Sequence, residues 1–189
     1  MPTVQQLGSF RLTSPKVVVI DPGYSIDTAE TRHGGCFVAR CRLGEWRVDV
    51  AMDRPSANWW PDWRSLPCSL TAIHSQVAPE FMQSAKWLRV ADEVGQDGGL
   101  IGIFDAAQYD EMRSIPDGHG SAAPDGDTRK LWYEFVSEVI GDSAAAVLPH
   151  GAVVSWDGGM DVDSVSTTGE VVGIRLSISG WPNPYEENG

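Results

Sequence analysis

Two stretches of this chain alternate apolar with polar residues, and that period of two is its strongest local signal. In residues 36–43, Phe37, Ala39, Cys41 and Leu43 alternate with Val38, Arg40 and Arg42. After Gly44 and Glu45, the set Trp46, Val48, Val50 and Met52 alternates with Arg47, Asp49 and Ala51. Period two on both sides of a short glycine-containing connection predicts a β-hairpin with one solvated face. A second hairpin is predicted for 163–166 and 170–178 around Thr167, Thr168 and Gly169, with Val172, Ile174, Leu176 and Ile178 on one face.

Short apolar runs predict further buried strands at 17–20, 69–74, 100–104 and 152–156, with weaker strands at 10–12 and 85–94. The period changes to 3.6 in 128–140, where Leu131, Trp132, Phe135, Val136, Val139 and Ile140 form one stripe. Asp127 or Thr128 would cap that helix and Gly141 would end it. Asp105 with Gln108 predicts a short capped helix burying Ala106, Tyr109 and Met112. The expected class is therefore α+β: a mainly antiparallel sheet, with two hairpins plus short buried strands, covered by one long and one short helix. One domain over 1–189 is expected, with loose ends at about 1–15 and 182–189.

Net charge, −12, argues against a nucleic-acid partner, since no basic stripe is present to neutralise phosphates. It fits a cationic partner or a divalent metal. Cys36, Cys41 and Cys68 are odd in number and lack CxxC spacing, which predicts free thiols and a cytoplasmic setting. No run approaches the roughly 18 apolar residues of a membrane span. Cys68, six residues before His74, is a weak candidate nucleophile.

Trp59, Trp60 and Trp63 fall in the proline-interrupted stretch 53–67, where large rings need an apolar neighbour from the core or from a partner. That makes them candidate ligand-binding residues, as a lid or as stacking surfaces. Asp21 and Tyr24 follow a buried run, and Asp97 stands before Gly98, Gly99 and Gly102, whose glycines suggest a close approach by a strand or a ligand. Asp157, Asp161 and Asp163 lie within seven residues, although the glycine and glutamate of a twelve-residue calcium loop are missing. Asp97, Asp157 and Asp161 are the candidate metal ligands, with Ca, Mg or Mn as the cation.

The segments Asp21-Pro22-Gly23-Tyr24, Asp97 through Asp105 (ending Gly102-Ile103-Phe104-Asp105), Trp132-Tyr133 and Trp156-Asp157-Gly158-Gly159 together resemble a family of bacterial and phage-associated proteins of unknown function. The resemblance implies a fold rather than a reaction, and at the last turn the order of Asp and Gly differs from that family's. Two functions follow as expectations. The first is an acidic binding module of the immunity or sequestration type, taking a basic protein or a flat small ligand through the tryptophan-rich loop. The alternative is a metal-assisted hydrolase or lyase built on the clustered Asp residues.

Overall fold

The computed structural model describes residues 2–29, 34–53, 66–95, 99–114, 135–140, 144–156 and 158–178. Among the described residues, eleven strands form two antiparallel sheets. Sheet A comprises β1 (Thr3–Leu12), β4 (Gly44–Asp53), β5 (Leu66–His74), β11 (Glu170–Ile178), β10 (Met160–Thr167) and β6 (Leu88–Val94), in that spatial order. Sheet B comprises β3 (Gly35–Ala39), β2 (Lys16–Ile20), β7 (Leu100–Asp105), β9 (Gly151–Ser155) and β8 (Ala145–Leu148). The chain changes sheet after β1, β3, β6 and β9.

Alternation explains how the sheets meet. Trp46, Val48 and Val50 of β4, Leu70 and Ala72 of β5, and Ile174 and Leu176 of β11 pack against Val17, Val19, Ile101, Ile103, Ala152 and Val154 of sheet B. This is the core of a β-sandwich. Both sheets carry a second apolar layer outside. Val18, Ile20, Phe104 and Val153 pack under Tyr109 and Met112 of α2 (Tyr109–Ser114), and under Val136 and Ile140 of the helical residues 135–140. On the far face of sheet A, Ile73, Val165 and Val172 pack with Val77, Met82 and Trp87 around α1 (Pro79–Ser84).

The α+β class with one long helix is therefore corrected. Among the described residues strands dominate and no helix reaches seven residues. Residues 128–134, with Leu131 and Trp132, lie outside the described residues. Of the remaining expected stripe, Val136 and Ile140 are buried, while Phe135 and Val139 are exposed. Among the described residues, the part of the stripe that reaches the core is thus an i, i+4 pair.

The hairpin expected over 36–52 is also corrected. β3 pairs with β2 in sheet B, whereas β4 pairs with β1 and β5 in sheet A. Arg40 at φ 61° and Gly44 at φ 122° turn the chain out of one sheet and into the other. Between them Cys41 makes a lone parallel bridge to Val171. Because sheet B is covered on both faces, Val38 packs into the inter-sheet core and Phe37 onto the outer layer.

The second hairpin matches expectation. Thr168 and Gly169, both with positive φ, form the two-residue turn between β10 and β11. A register shift beside Val172 sends that side chain to the outer layer, unlike Ile174, Leu176 and Ile178. The expected strands at 17–20, 69–74, 100–104 and 152–156 are β2, β5, β7 and β9. The strand expected at 10–12 is the end of the ten-residue β1.

Candidate functional site

Of the expected site residues, Asp21 and Tyr24 follow β2 at one end of sheet B. Ile20 pairs with Gly102 and Leu100 with Ser155, so β2 ends, β7 begins and β9 ends on the same side. Asp21, Gly99, and the pair Trp156 and Gly158 flank the strands there. The Trp156 N–H donates to the Gly99 carbonyl at 2.9 Å. The sequence-distant segments singled out above thus share a sheet end. Asp97, Asp157, Trp59, Trp60 and Trp63 themselves lie outside the described residues.

Asp21 is 1% exposed, and its carboxylate accepts the Gly23 N–H at 2.7 Å, while its carbonyl accepts the Tyr24 N–H at 3.0 Å. This is a turn held by its first residue. Tyr24 packs on the outer layer of sheet B, and its carbonyl accepts the Tyr109 hydroxyl at 2.8 Å. The close approach at Gly102 belongs to the protein itself: a Cβ there would run into the Phe104 ring and the Ala152 carbonyl.

Asp161 projects from β10 onto the outer face of sheet A, where Arg89 Nη1 lies 2.7 Å from its carboxylate. Its other oxygen accepts the Glu93 N–H. A cation would have to displace a guanidinium to use it. Among the described residues no group of three or more His, Cys, Asp or Glu side chains is placed to hold a metal ion.

Asp105 does not begin α2 as a helix cap. It ends β7, fully buried, and ties two turns together. Its carboxylate accepts the Thr13 N–H (2.6 Å) and hydroxyl (2.7 Å), the Ser14 N–H (3.3 Å) and hydroxyl (2.6 Å), and the Ala107 N–H (3.1 Å). Burial alone would push this carboxyl up. The bonds from Ser14, Thr13 and Ala107 outweigh it and hold the pKa below the usual carboxylate value.

Beside that clamp is a cleft of about 540 Å³, lined by Ser14, Lys16, Ile26, Asp27, Phe37, Ala106 and Ala107. Lys16 opens β2, and its ammonium sits 3.5 Å from the centroid of the Phe37 ring on the neighbouring strand. Ile26 and Asp27 come from a short 3-10 helix, Ile26–Thr28, which Ser25 caps by accepting the Asp27 N–H. The cleft therefore joins a cation, an aromatic face, an apolar wall and an acidic rim. Sequence reasoning missed it because its residues are scattered over 14–107 and none belongs to a motif.

The three thiols are poor nucleophiles. Burial pushes Cys36 and Cys41 up to about 12 and Cys68 up to about 11. The Cys68 thiol donates to the Ala51 carbonyl, and His74 contacts the Leu43 carbonyl and the Gln76 N–H from the far end of β5. They do not form a nucleophile–base pair.

The outer face of sheet A carries a polar row beyond the apolar patch under α1. Strand register aligns Asp49, Thr71, Arg175, Asp163 and Arg89 across β4, β5, β11, β10 and β6. Asp163 accepts from Arg89 Nε at 2.8 Å and Arg175 Nη2 at 2.9 Å, and Arg175 lies 4.6 Å from the centre of the Trp87 ring. Burial raises the pKa of Asp49, opposed by Arg47 at 3.3 Å. Thr71 and its neighbour Ser69 are fully buried, and neither hydroxyl has a hydrogen-bond partner. An unmet buried hydroxyl costs on the order of 1–3 kcal/mol.

No protein-family model, no curated protein and no solved structure matches this chain.

Proposed function

We propose that this protein is a binding module, not a catalyst, and that it takes a flat small molecule bearing an anionic group in the cleft of Lys16, Phe37 and Asp27. The observation that carries this reading is the cleft itself. Its volume falls in the range of about 300–1,000 Å³ typical of small-molecule sites, and it combines an apolar wall with few, convergent polar groups. The Lys16 ammonium already lies on the Phe37 face, an arrangement worth about 0.5–1 kcal/mol at an exposed site. An arriving anion draws the ammonium from the ring, and the planar body of the ligand takes its place on Phe37. Both protein groups keep a partner throughout the exchange.

The bonds at the candidate acids support binding over chemistry. Asp21 serves its own turn, Asp105 clamps two loops, and Arg89 holds Asp161. A net charge of −12 would attract a basic protein. Lys16, the cation among the lining residues, instead favours an anion in this cleft, and small molecules are the class we adopt.

Calorimetric titration with naphthoate, against the neutral naphthamide, tests the proposal. Naphthoate should bind and the amide should bind at least about tenfold more weakly. Lys16→Met should erase the difference, and Phe37→Ala should weaken both. Equal affinity for acid and amide, an unchanged Lys16→Met profile, or no heat from either compound would reject it.

A further inference from the structure

Two charged side chains line the Lys16 cleft, and neither has an ion-pair partner among the described residues. The Lys16 ammonium lies on the Phe37 ring and makes no salt bridge there. Among the described residues nothing donates to the Asp27 carboxylate; only the backbone of Asp27 is engaged, its N–H donating to the Ser25 hydroxyl at 3.4 Å. The other polar groups of the wall are already spent. The Ser14 hydroxyl donates to Asp105 at 2.6 Å, and the Ala106 and Ala107 N–H groups donate to the Lys16 carbonyl and to Asp105. Charge recognition in this cleft therefore falls to one ammonium and one carboxylate, supplied by β2 and by the 3-10 helix Ile26–Thr28.

These two groups set opposite demands on a guest. A simple anion gains Lys16 but meets Asp27 as a like charge in the same cleft. Behind the wall stands a second carboxylate, Asp105, which the Ser14 and Ala107 bonds keep ionised and which adds to that repulsion. The chain as a whole, at −12, also repels a net negative ligand. A guest with an added positive group offsets each of these costs. It is neutral overall, its cation faces Asp27, and its anion still meets Lys16. Resting on the reading of this cleft as a small-molecule site, we propose that its guest is a flat zwitterion: an aromatic acid whose ring also carries an aminoalkyl group. Lys16 takes the acid, the ring lies on Phe37, and Asp27 takes the ammonium. Asp27 is then a specificity-determining residue, choosing among the flat acids that Lys16 and Phe37 hold.

The full chain is titrated calorimetrically with 6-(aminomethyl)-2-naphthoate against 6-methyl-2-naphthoate, a pair that keeps ring and acid and differs in the ammonium. The pair 4-(aminomethyl)benzoate and 4-methylbenzoate repeats the comparison at a shorter spacing. Asp27 is exposed, so the gain is modest: in at least one pair the aminomethyl acid should bind about threefold to fivefold more tightly. Asp27→Asn should remove that advantage and, by lifting the like-charge repulsion, tighten binding of the methyl acid relative to wild type. Its melting temperature should match wild type, because the carboxylate holds no bond in the free protein. Lys16→Met should weaken both compounds. Equal affinities within both pairs, or an advantage that survives Asp27→Asn, would overturn the zwitterion proposal. Methyl acids that still bind through Lys16 would in that case leave the cleft as a site for simple flat anions. No binding of any of the four compounds at millimolar concentration would overturn both readings.

Discussion

Replacing Asp105 tests whether the clamp beside the cleft is as consequential as its geometry suggests. Its carboxylate accepts five hydrogen bonds from Thr13, Ser14 and Ala107. A hydrogen bond to a charged group contributes roughly 1.5–3 kcal/mol, but these five will not add. Thr13 is exposed and Ser14 half-buried, so their donors regain water when the carboxylate goes. Asp105→Ala should therefore cost about 3 kcal/mol rather than the sum of five bonds. Asp105→Asn should cost a comparable amount, because its amide turns donors toward donors. The pH dependence separates this from simple loss of packing. The native pKa is depressed below that of the unfolded chain, near 3.9. The stabilisation is then fully present above about pH 5 and is lost as pH falls through the native value. Urea denaturation of wild type and Asp105→Asn at a series of pH values should show their difference shrinking on acidification. A difference below about 1 kcal/mol at pH 7, or one independent of pH, would refute the reasoning. Because Ser14, Ala106 and Ala107 also line the cleft, the same variant should weaken naphthoate binding.

Gly102→Ala should destabilise the fold by about 1–3 kcal/mol in the same titration, because a methyl there overlaps the Phe104 ring; an unchanged midpoint would count against that contact. The native thiols should resist alkylation by iodoacetamide at pH 8 until the chain is unfolded, since burial raises all three; rapid labelling of Cys68 in the folded protein would contradict this. Trp46→Ala should cost about 3–5 kcal/mol, since the ring is wholly buried and donates to the Arg42 carbonyl; a loss below about 1 kcal/mol would place that side chain outside the core.

Much of the strand content was legible because burial imposes period two wherever one face meets the core. Val17–Ile20, Leu100–Phe104 and the β10–β11 hairpin could be read directly. What period two does not encode is which sheet a strand joins. The runs at 36–43 and 44–52 each alternate, but two positive-φ residues between them carry the chain from sheet B to sheet A. Arg40 gave no warning, because arginine rarely takes that conformation and needs no special sequence when it does. The helix was over-read for a different reason. Six apolar residues in 128–140 looked like one broad stripe, yet of the four described the layer of sheet B beneath them buries Val136 and Ile140, while Phe135 and Val139 stay partly exposed.

The candidate sites were less legible because they arise from register. In the sequence, Asp21 and the glycine run before β7 attract notice as punctuation, and the structure does bring their segments to one sheet end. The side chains in view there serve the turn itself. Lys16 meets Phe37 only because β2 and β3 pair with Lys16 opposite Ala39, which sets the ring one diagonal step away. Thr71 stands between Asp49 and Arg175 only because three strands drawn from distant parts of the chain align at those residues. A shift of one residue in either pairing would send one partner of each contact to the opposite face of its sheet. The same shift would expose Val48 or Ile174 and bury a charge, so the apolar core that fixes the register also fixes both polar arrangements. The alternation first read as evidence for strands is thus what holds these polar contacts in place, and the polar residues of 69–74 were part of that pattern from the start.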